Sequence, residues 1–147
     1  MKLDIEELRR NNILSKILTI KGEIIMASRR ANIGFGYHLT AYLAINAILV
    51  WINIDTSPHQ AWAQWPILGW GIGLAFHGLT LVSSSNKMNK GFFYHLGAYI
   101  IINAFLIFTN LTTSPGYLWF KYPLIAWTCM IIFHGWMVFS RNRHTDA

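Results

Sequence analysis

Four histidines lie inside long apolar stretches of this 147-residue sequence, and they occur as two pairs related by a constant offset. The second half of the chain repeats the first half at an offset of 57 residues, and the alignment of the two copies needs no gap from Asn32 to Ser83. A neutral imidazole can ligate a metal, carry a proton or make hydrogen bonds. The residues retained in both copies are His38 and His95, His77 and His134, Trp70 and Trp127, Asn46 and Asn103, and Asn53 and Asn110.

The spacing of these residues predicts that they lie on helix faces at matched depth. His38, Tyr42, Asn46 and Asn53 recur at the intervals of one helical stripe, and the second copy repeats the stripe. Each histidine falls one to two turns inside the same end of its apolar segment. Because polar groups that face lipid are costly, we expect the four imidazoles to form one layer inside the molecule.

Two facing histidines on antiparallel helices can supply both axial ligands of a low-spin haem iron. The sequence therefore predicts a tetrapyrrole site, with b-type haem as the cofactor and electron transfer or sensing as the role. A chlorophyll-type pigment, whose magnesium takes one axial histidine, is a variant of this hypothesis. The predicted ligands are His38, His77, His95 and His134. Trp70 and Trp127 could stack on the macrocycle, although tryptophans at such positions are more often part of the bundle core.

Three other interpretations of the histidines remain open from the sequence. Intramembrane histidines also link helices by hydrogen bonds, for example from His38 to Tyr99 or Asn103. Imidazole also suits copper, although no carboxylate lies within any span. A proton relay is the third. Asn46 and Asn103 are predicted to bond to each other across a pseudo-two-fold axis, as a register-fixing pair.

The composition indicates an integral membrane protein. Hydrophobic residues make up 54% of the chain and charged residues only 12%, against about a quarter in soluble domains. Four segments approach the roughly 20 apolar residues that a bilayer span requires. We place them at Phe35–Ile54, Trp65–Val82, Phe92–Leu111 and Pro123–Phe139. The single cysteine, Cys129, is predicted to be a buried, inert thiol.

The positive charge predicts topology rather than nucleic-acid binding. Seven of the twelve Lys and Arg residues precede the first span, and the predicted outer loops carry only Lys121. This asymmetry predicts that both termini are cytoplasmic. No catalytic constellation or phosphate-binding motif is visible, so we expect a non-enzyme. His59 and His144 are not duplicated and are expected to be solvated.

The chain is expected to have three parts: an amphipathic interfacial helix at 1–30, a first hairpin at 31–84, and a second hairpin with a basic tail at 85–147. The predicted fold is all-α, a four-helix transmembrane bundle of two tandem hairpins related by an axis along the membrane normal. The alternative function is an accessory or scaffold subunit of a larger membrane complex, such as a pigment–protein complex, in which the histidines are structural. Its partner would dock through the N-terminal helix.

The sequence resembles the bacterial 2TM domain family. The resemblance rests on Phe35-x-x-His38-Leu39-x-x-Tyr42, on Asn53-x-x-Thr56-Ser57-Pro58, and on Gly69-Trp70-Gly71-Ile72-Gly73 with His77-Gly78. A second copy runs from Phe92-x-x-His95 to His134-Gly135, with Ala126-Trp127-Thr128-Cys129-Met130 in place of the glycine run. The resemblance implies a helical hairpin in a bacterial inner or internal membrane, without a settled activity. If the glycines allow close helix approach, the two hairpins cannot pack identically.

Overall fold

The computed structural model describes residues 5–83 and 88–145, and within these ranges all regular structure is helical. The four helices are α1 (Ile5–Thr56), α2 (Gln64–Ser83), α3 (Lys90–Thr113) and α4 (Lys121–Thr145). Each contains a segment long and apolar enough to cross a bilayer. The predicted all-α membrane fold is therefore confirmed. Most of the predicted polar connection, residues 84–87, lies outside the described residues.

The helix boundaries lie close to the predicted spans at every loop. α2 begins at Gln64 and ends at Ser83, one residue beyond each predicted end. At the N-terminal side the prediction and the structure differ in detail, because α1 continues through residue 30 without an end. The contacts nevertheless divide the chain into two units, with the boundary between Tyr37 and His38.

The first unit is the helical segment up to Tyr37. Its apolar side chains are exposed, and four isoleucines at intervals of four, three and four residues share one face. These are Ile13, Ile17, Ile20 and Ile24, exposed by 52%, 54%, 56% and 63%. Lys16 and Lys21 lie between them in sequence, so the segment combines an apolar face with positive charge.

The second unit, from His38 onward, contains two antiparallel hairpins. Hydrogen bonds between side chains of α1 and side chains or carbonyls of α2 tie the first hairpin. α3 packs against both α2 and α4. The leucine Leu79 lies directly against Gly97, in the space that a side chain would occupy, and the Phe92 ring lies against Gly135. Glycines therefore permit close contact at two helix pairs.

Two asparagines hold the loops that join α1 to α2 and α3 to α4. The amide nitrogen of Asn53 donates to the carbonyls of Ser57 (2.9 Å) and Gln60 (2.6 Å), and its Oδ1 accepts from the Ala63 amide (2.7 Å). Asn110 makes the same three bonds to Ser114, Tyr117 and Phe120. We call this end of the second unit the asparagine end and the opposite end the histidine end.

Burial is inverted relative to a soluble protein. Among the described residues the buried side chains are mostly polar, and Ala63 is the one buried apolar residue. The buried polar residues are Asn46, Asn53, Ser83, Asn103 and Asn110. An apolar exterior around a polar interior suits a lipid environment, in which the solvent is itself apolar.

Candidate functional site

Each hairpin of the second unit contains a hydrogen-bonded row of three side chains, which we call a Trp–His–His chain. In the first hairpin, α1 supplies His38 and α2 supplies Trp70 and His77. Trp70 and His77 are seven residues apart, two helical turns, so both face the same neighbouring helix. His38 lies between them on the opposite helix and contacts both.

In the first chain the two nitrogens of His38 have different partners. The Trp70 indole Nε1 donates to His38 Nε2 at 2.7 Å, and His38 Nδ1 lies 3.2 Å from His77 Nδ1. The two imidazole rings have centroids 5.5 Å apart and planes inclined by 42°. All three side chains are half-buried. The arrangement is an interhelical hydrogen-bond chain in which the central ring is bonded on both sides.

The second hairpin reproduces the chain almost without change. Trp127 Nε1 donates to His95 Nε2 at 2.8 Å, and His95 Nδ1 lies 2.8 Å from His134 Nδ1. The imidazole centroids are 5.1 Å apart and the ring planes are inclined by 41°. The Phe92 ring stands edge-on to His134, with a centroid separation of 5.5 Å. Sequence duplication has thus preserved a contact pattern as well as the residue types.

The indole fixes the proton positions along each chain. An indole N–H donates and cannot accept, so Nε2 of His38 carries a lone pair and its ring is neutral, with the proton on Nδ1. That proton is directed to Nδ1 of His77, which must then accept and carry its own proton on Nε2. The same assignment holds for His95 and His134. Each chain therefore has one direction, from tryptophan to the α2 or α4 histidine.

The paired nitrogens lie too close together to coordinate one metal from opposite sides. Metal–imidazole bonds are about 2.0–2.1 Å long, so two nitrogens on opposite sides of a metal lie about 4 Å apart. The paired nitrogens are closer, at 3.2 Å and 2.8 Å, and face each other directly. A haem between the two rings of one pair requires the rings to separate and the hydrogen bond to break. Among the described residues, no group of three or more His, Cys, Asp or Glu side chains is arranged to hold a metal ion.

The structure brings all six predicted site residues together, as two separate groups of three. Both tryptophans face the histidines: their rings are inclined to the adjacent imidazoles by 35° and 37°, and their N–H groups donate to His38 and His95. The predicted His38 bonds to Tyr99 or Asn103 are replaced by bonds within its own hairpin. The sequence signal for this grouping was the duplication of Trp70 as Trp127 at the same spacing from both histidines.

Two predictions about neighbouring residues are wrong. Asn46 and Asn103 do not bond each other, because each donates to the carbonyl four residues earlier in its own helix, at 2.8 Å. Asn46 Oδ1 is buried without a hydrogen-bond partner. Cys129 is exposed on α4 rather than buried.

The hairpins differ one turn from the histidines, where tyrosine meets the facing helix. The Tyr42 hydroxyl passes over Gly71 and donates to the Ile67 carbonyl at 3.1 Å. In the second hairpin the equivalent of Gly71 is Thr128, whose hydroxyl donates to the Leu124 carbonyl at 2.7 Å. Tyr99 then bonds the threonine hydroxyl at 2.8 Å. In the first hairpin the tyrosine hydroxyl thus bonds the helix carbonyl directly, whereas in the second hairpin the Thr128 hydroxyl lies between the tyrosine and the carbonyl.

The chain was compared with protein families, curated proteins and solved structures. The family model described as the 2TM domain matches twice in tandem, at residues 28–88 and 82–147. Comparison with curated proteins gave no match, and neither did comparison with solved structures. The two matched ranges cover both Trp–His–His chains and confirm the duplication seen in sequence and geometry. The chain belongs to the 2TM domain family, and it consists largely of two consecutive copies of that domain.

Proposed function

We propose that this protein is a non-catalytic accessory subunit of a larger membrane complex, in which the Trp–His–His chains hold each hairpin closed. One observation carries the structural role of the histidines. Both ring nitrogens of His38 and of His95 are engaged in hydrogen bonds within the hairpin. A central histidine bonded on both sides has no lone pair directed at an external ligand. Its bonding capacity is used to join two helices.

The stabilisation expected from these hydrogen bonds is large enough to help keep each hairpin closed. An interhelical hydrogen bond in a membrane protein contributes about 0.6 kcal/mol on average and about 1.7 kcal/mol at most. Two such bonds in each hairpin stabilise it by roughly 1–3 kcal/mol. Since lipid supplies no hydrophobic driving force between helices, a contribution of this size helps decide whether a hairpin stays closed.

The first unit supports the proposal of a partner. Its isoleucine face, formed by Ile13, Ile17, Ile20 and Ile24, is exposed over about three turns, which suits the groove of a partner helix. Lys16 and Lys21 next to this face favour acidic side chains on the partner. The excess of Lys and Arg before the first span supports cytoplasmic termini. A bacterial inner or internal membrane is the proposed location.

The haem hypothesis is the second candidate, supported by the repetition of a histidine pair at the same position in both hairpins. It requires at least one pair to open, and an indole to leave its histidine wherever His38 or His95 is the ligand. A chlorophyll-type pigment needs one free imidazole nitrogen and carries the same requirement for His38 or His95. The two candidates therefore predict different behaviour when haem is offered.

An absorption experiment separates them. The detergent-purified protein is recorded as isolated, after dithionite and after addition of haem, together with His38→Gln and His95→Gln. We expect no Soret band and a lower thermal stability of both variants, by about the same amount as Trp70→Phe. A Soret band that sharpens on reduction and disappears in the histidine variants would overturn the proposal in favour of haem.

The partner is tested by size of the assembly in native membrane extracts. Ile17→Asp places a charge on the isoleucine face, whereas Thr19→Asp places the same charge on the opposite side of the helix, where the threonine bonds only Ser15. We expect the first variant to migrate as the free chain on native gels and the second to keep the size of the wild-type assembly. Equal migration of both variants and the wild type would contradict docking through this face.

A further inference from the structure

An apolar cleft separates α2 from α3 toward the asparagine end of the second unit. Its volume is about 490 Å³, within the usual range of roughly 300–1,000 Å³ for ligand-binding pockets. Tyr42 contributes the main polar group, and the remaining walls are aliphatic or aromatic. The residues that define the cleft are Ile67, Gly71 and Ala75 on α2, and Ile101, Phe105 and Phe108 on α3.

Small residues and one close helix contact define the cleft. At the histidine end, Leu79 fills the space above Gly97, so α2 and α3 are in close contact there. Toward the asparagine end the lining residues include Gly71 and the small Ala75 and Ala104, which leave space between the helices. The cleft lies within the membrane-spanning segments.

Neither water nor empty space is a stable filling for this opening. An ordered water needs two to four polar partners, and the walls offer little beyond the Tyr42 hydroxyl, whose proton is already donated to Ile67. An empty cleft would forfeit the dispersion contacts of every wall residue. The opening lies in helices that cross the bilayer, where the surrounding medium is hydrocarbon.

The dimensions of the cleft select among apolar occupants. From Ile67 to Ala75 the α2 wall is about 12 Å long at ~1.5 Å per residue. The volume of about 490 Å³ then corresponds to a mean cross-section of about 40 Å². A helix with its side chains is about 10–12 Å across, so its cross-section is roughly 80–110 Å². A partner helix therefore does not fit inside the cleft, whereas an extended hydrocarbon chain does.

We propose that the cleft between α2 and α3 is a binding site for an acyl chain of a membrane phospholipid, held against Gly71 and the Tyr42 ring. The duplication supplies a comparison within the molecule. At the position of Gly71 the second hairpin has Thr128, whose side chain fills the corresponding space and bonds Tyr99. Gly71→Thr therefore gives the first hairpin the side chain that the second hairpin carries at this position.

Retained lipid is the first test. The protein is washed extensively in detergent, and phospholipid per chain is measured by mass spectrometry in the wild type, Gly71→Thr and Gly71→Ala. A Cβ at position 71 would lie 3.4 Å from the Tyr42 hydroxyl, an ordinary contact, so both variants fit the backbone. We expect about one retained phospholipid in the wild type, a several-fold loss in Gly71→Thr and an intermediate value in Gly71→Ala.

Photocrosslinking locates the bound chain. The protein is reconstituted into phosphatidylcholine vesicles containing a lipid with a diazirine in the middle of one acyl chain. Labelling of residues 67–75, the first window, is compared between the wild type and Gly71→Thr, and the largely exposed residues 124–132 of α4 report the labelling by surrounding lipid. We expect several-fold less label in the first window of Gly71→Thr and no change at residues 124–132. Labelling of the first window that Gly71→Thr does not change would overturn the proposal. Crosslinked dimers through the first window would assign the cleft to a second copy instead.

Discussion

At the scale of single residues, the tryptophan gives each histidine pair its direction. Two neutral imidazoles alone can bond in either sense, because each ring has one donor and one acceptor nitrogen. The indole removes this choice, since Trp70 can only donate to His38. Adding a metal or a further proton to His38 therefore requires loss of a bond to Trp70 or to His77. In the neutral state both ring nitrogens of His38 are bonded within the hairpin.

The first prediction concerns the tautomers of the central histidines. We expect His38 and His95 to carry their protons on Nδ1, and His77 and His134 to carry theirs on Nε2. Nitrogen-15 NMR of histidine-labelled protein in bicelles distinguishes the two tautomers by the shifts of the ring nitrogens. Individual His→Gln variants assign the signals.

A matched pair of tryptophan variants tests the cause. Trp70→Phe removes the donor, so we expect His38 to populate both tautomers and the hairpin to lose about 0.6 kcal/mol, with an upper bound of about 1.7 kcal/mol. Trp65→Phe is the control, because Trp65 is exposed and makes no bond to His38. An Nε2-protonated His38 in the wild type would contradict the assigned direction.

At the scale of helices and loops, the side chains of Asn53 and Asn110 bond each helix end to the loop that follows it. Each satisfies two carbonyls and one amide at the end of a helix, where backbone groups lack helical partners. We predict that Asn53→Ala lowers the free energy of unfolding by about 1–3 kcal/mol, because it leaves buried backbone groups without partners. Unfolding in mixed detergent micelles, followed by tryptophan fluorescence, measures the change.

Asn46 provides the matched control for this prediction. It is equally buried but bonds only a carbonyl of its own helix, and its Oδ1 has no partner. We expect Asn46→Leu to be neutral or stabilising, because it removes an unsatisfied buried oxygen. A loss as large as that of Asn53→Ala would show that burial, rather than loop bonding, sets the effect.

The helices could be predicted from sequence more fully than the contacts between them. Hydropathy placed the ends of α2 to within one residue, because a bilayer span imposes a strong constraint on length and composition. The stripe containing His38 and Asn46 was also visible. The partners of these side chains depend on small rotations of one helix against another, which periodicity does not determine. The Asn46–Asn103 prediction failed for this reason.

At the scale of the whole molecule, the two copies share one bonding scheme but differ in packing. The Trp–His–His chains match within a few tenths of an ångström, with donor–acceptor distances of 2.7 and 2.8 Å for the indoles. The packing beside them differs because Gly71 is replaced by Thr128 in the second copy. Duplication has therefore kept the Trp–His–His chain in both hairpins, while the packing one turn away from it differs.

The accessory-subunit and haem proposals differ in how the two hairpins should couple energetically. The described hydrogen bonds of each chain join residues of one hairpin, so we predict that the stability losses of Trp70→Phe and Trp127→Phe add to within about 0.5 kcal/mol in the double variant. Within one hairpin, Trp70→Phe and His77→Gln both act on His38. Their combined effect should depart from the sum by about 0.5 kcal/mol or more. Unfolding of the two single and one double variant in each cycle gives both coupling energies. A ligand held jointly by the hairpins would reverse the order, because each tryptophan would then stabilise a site to which the other hairpin contributes.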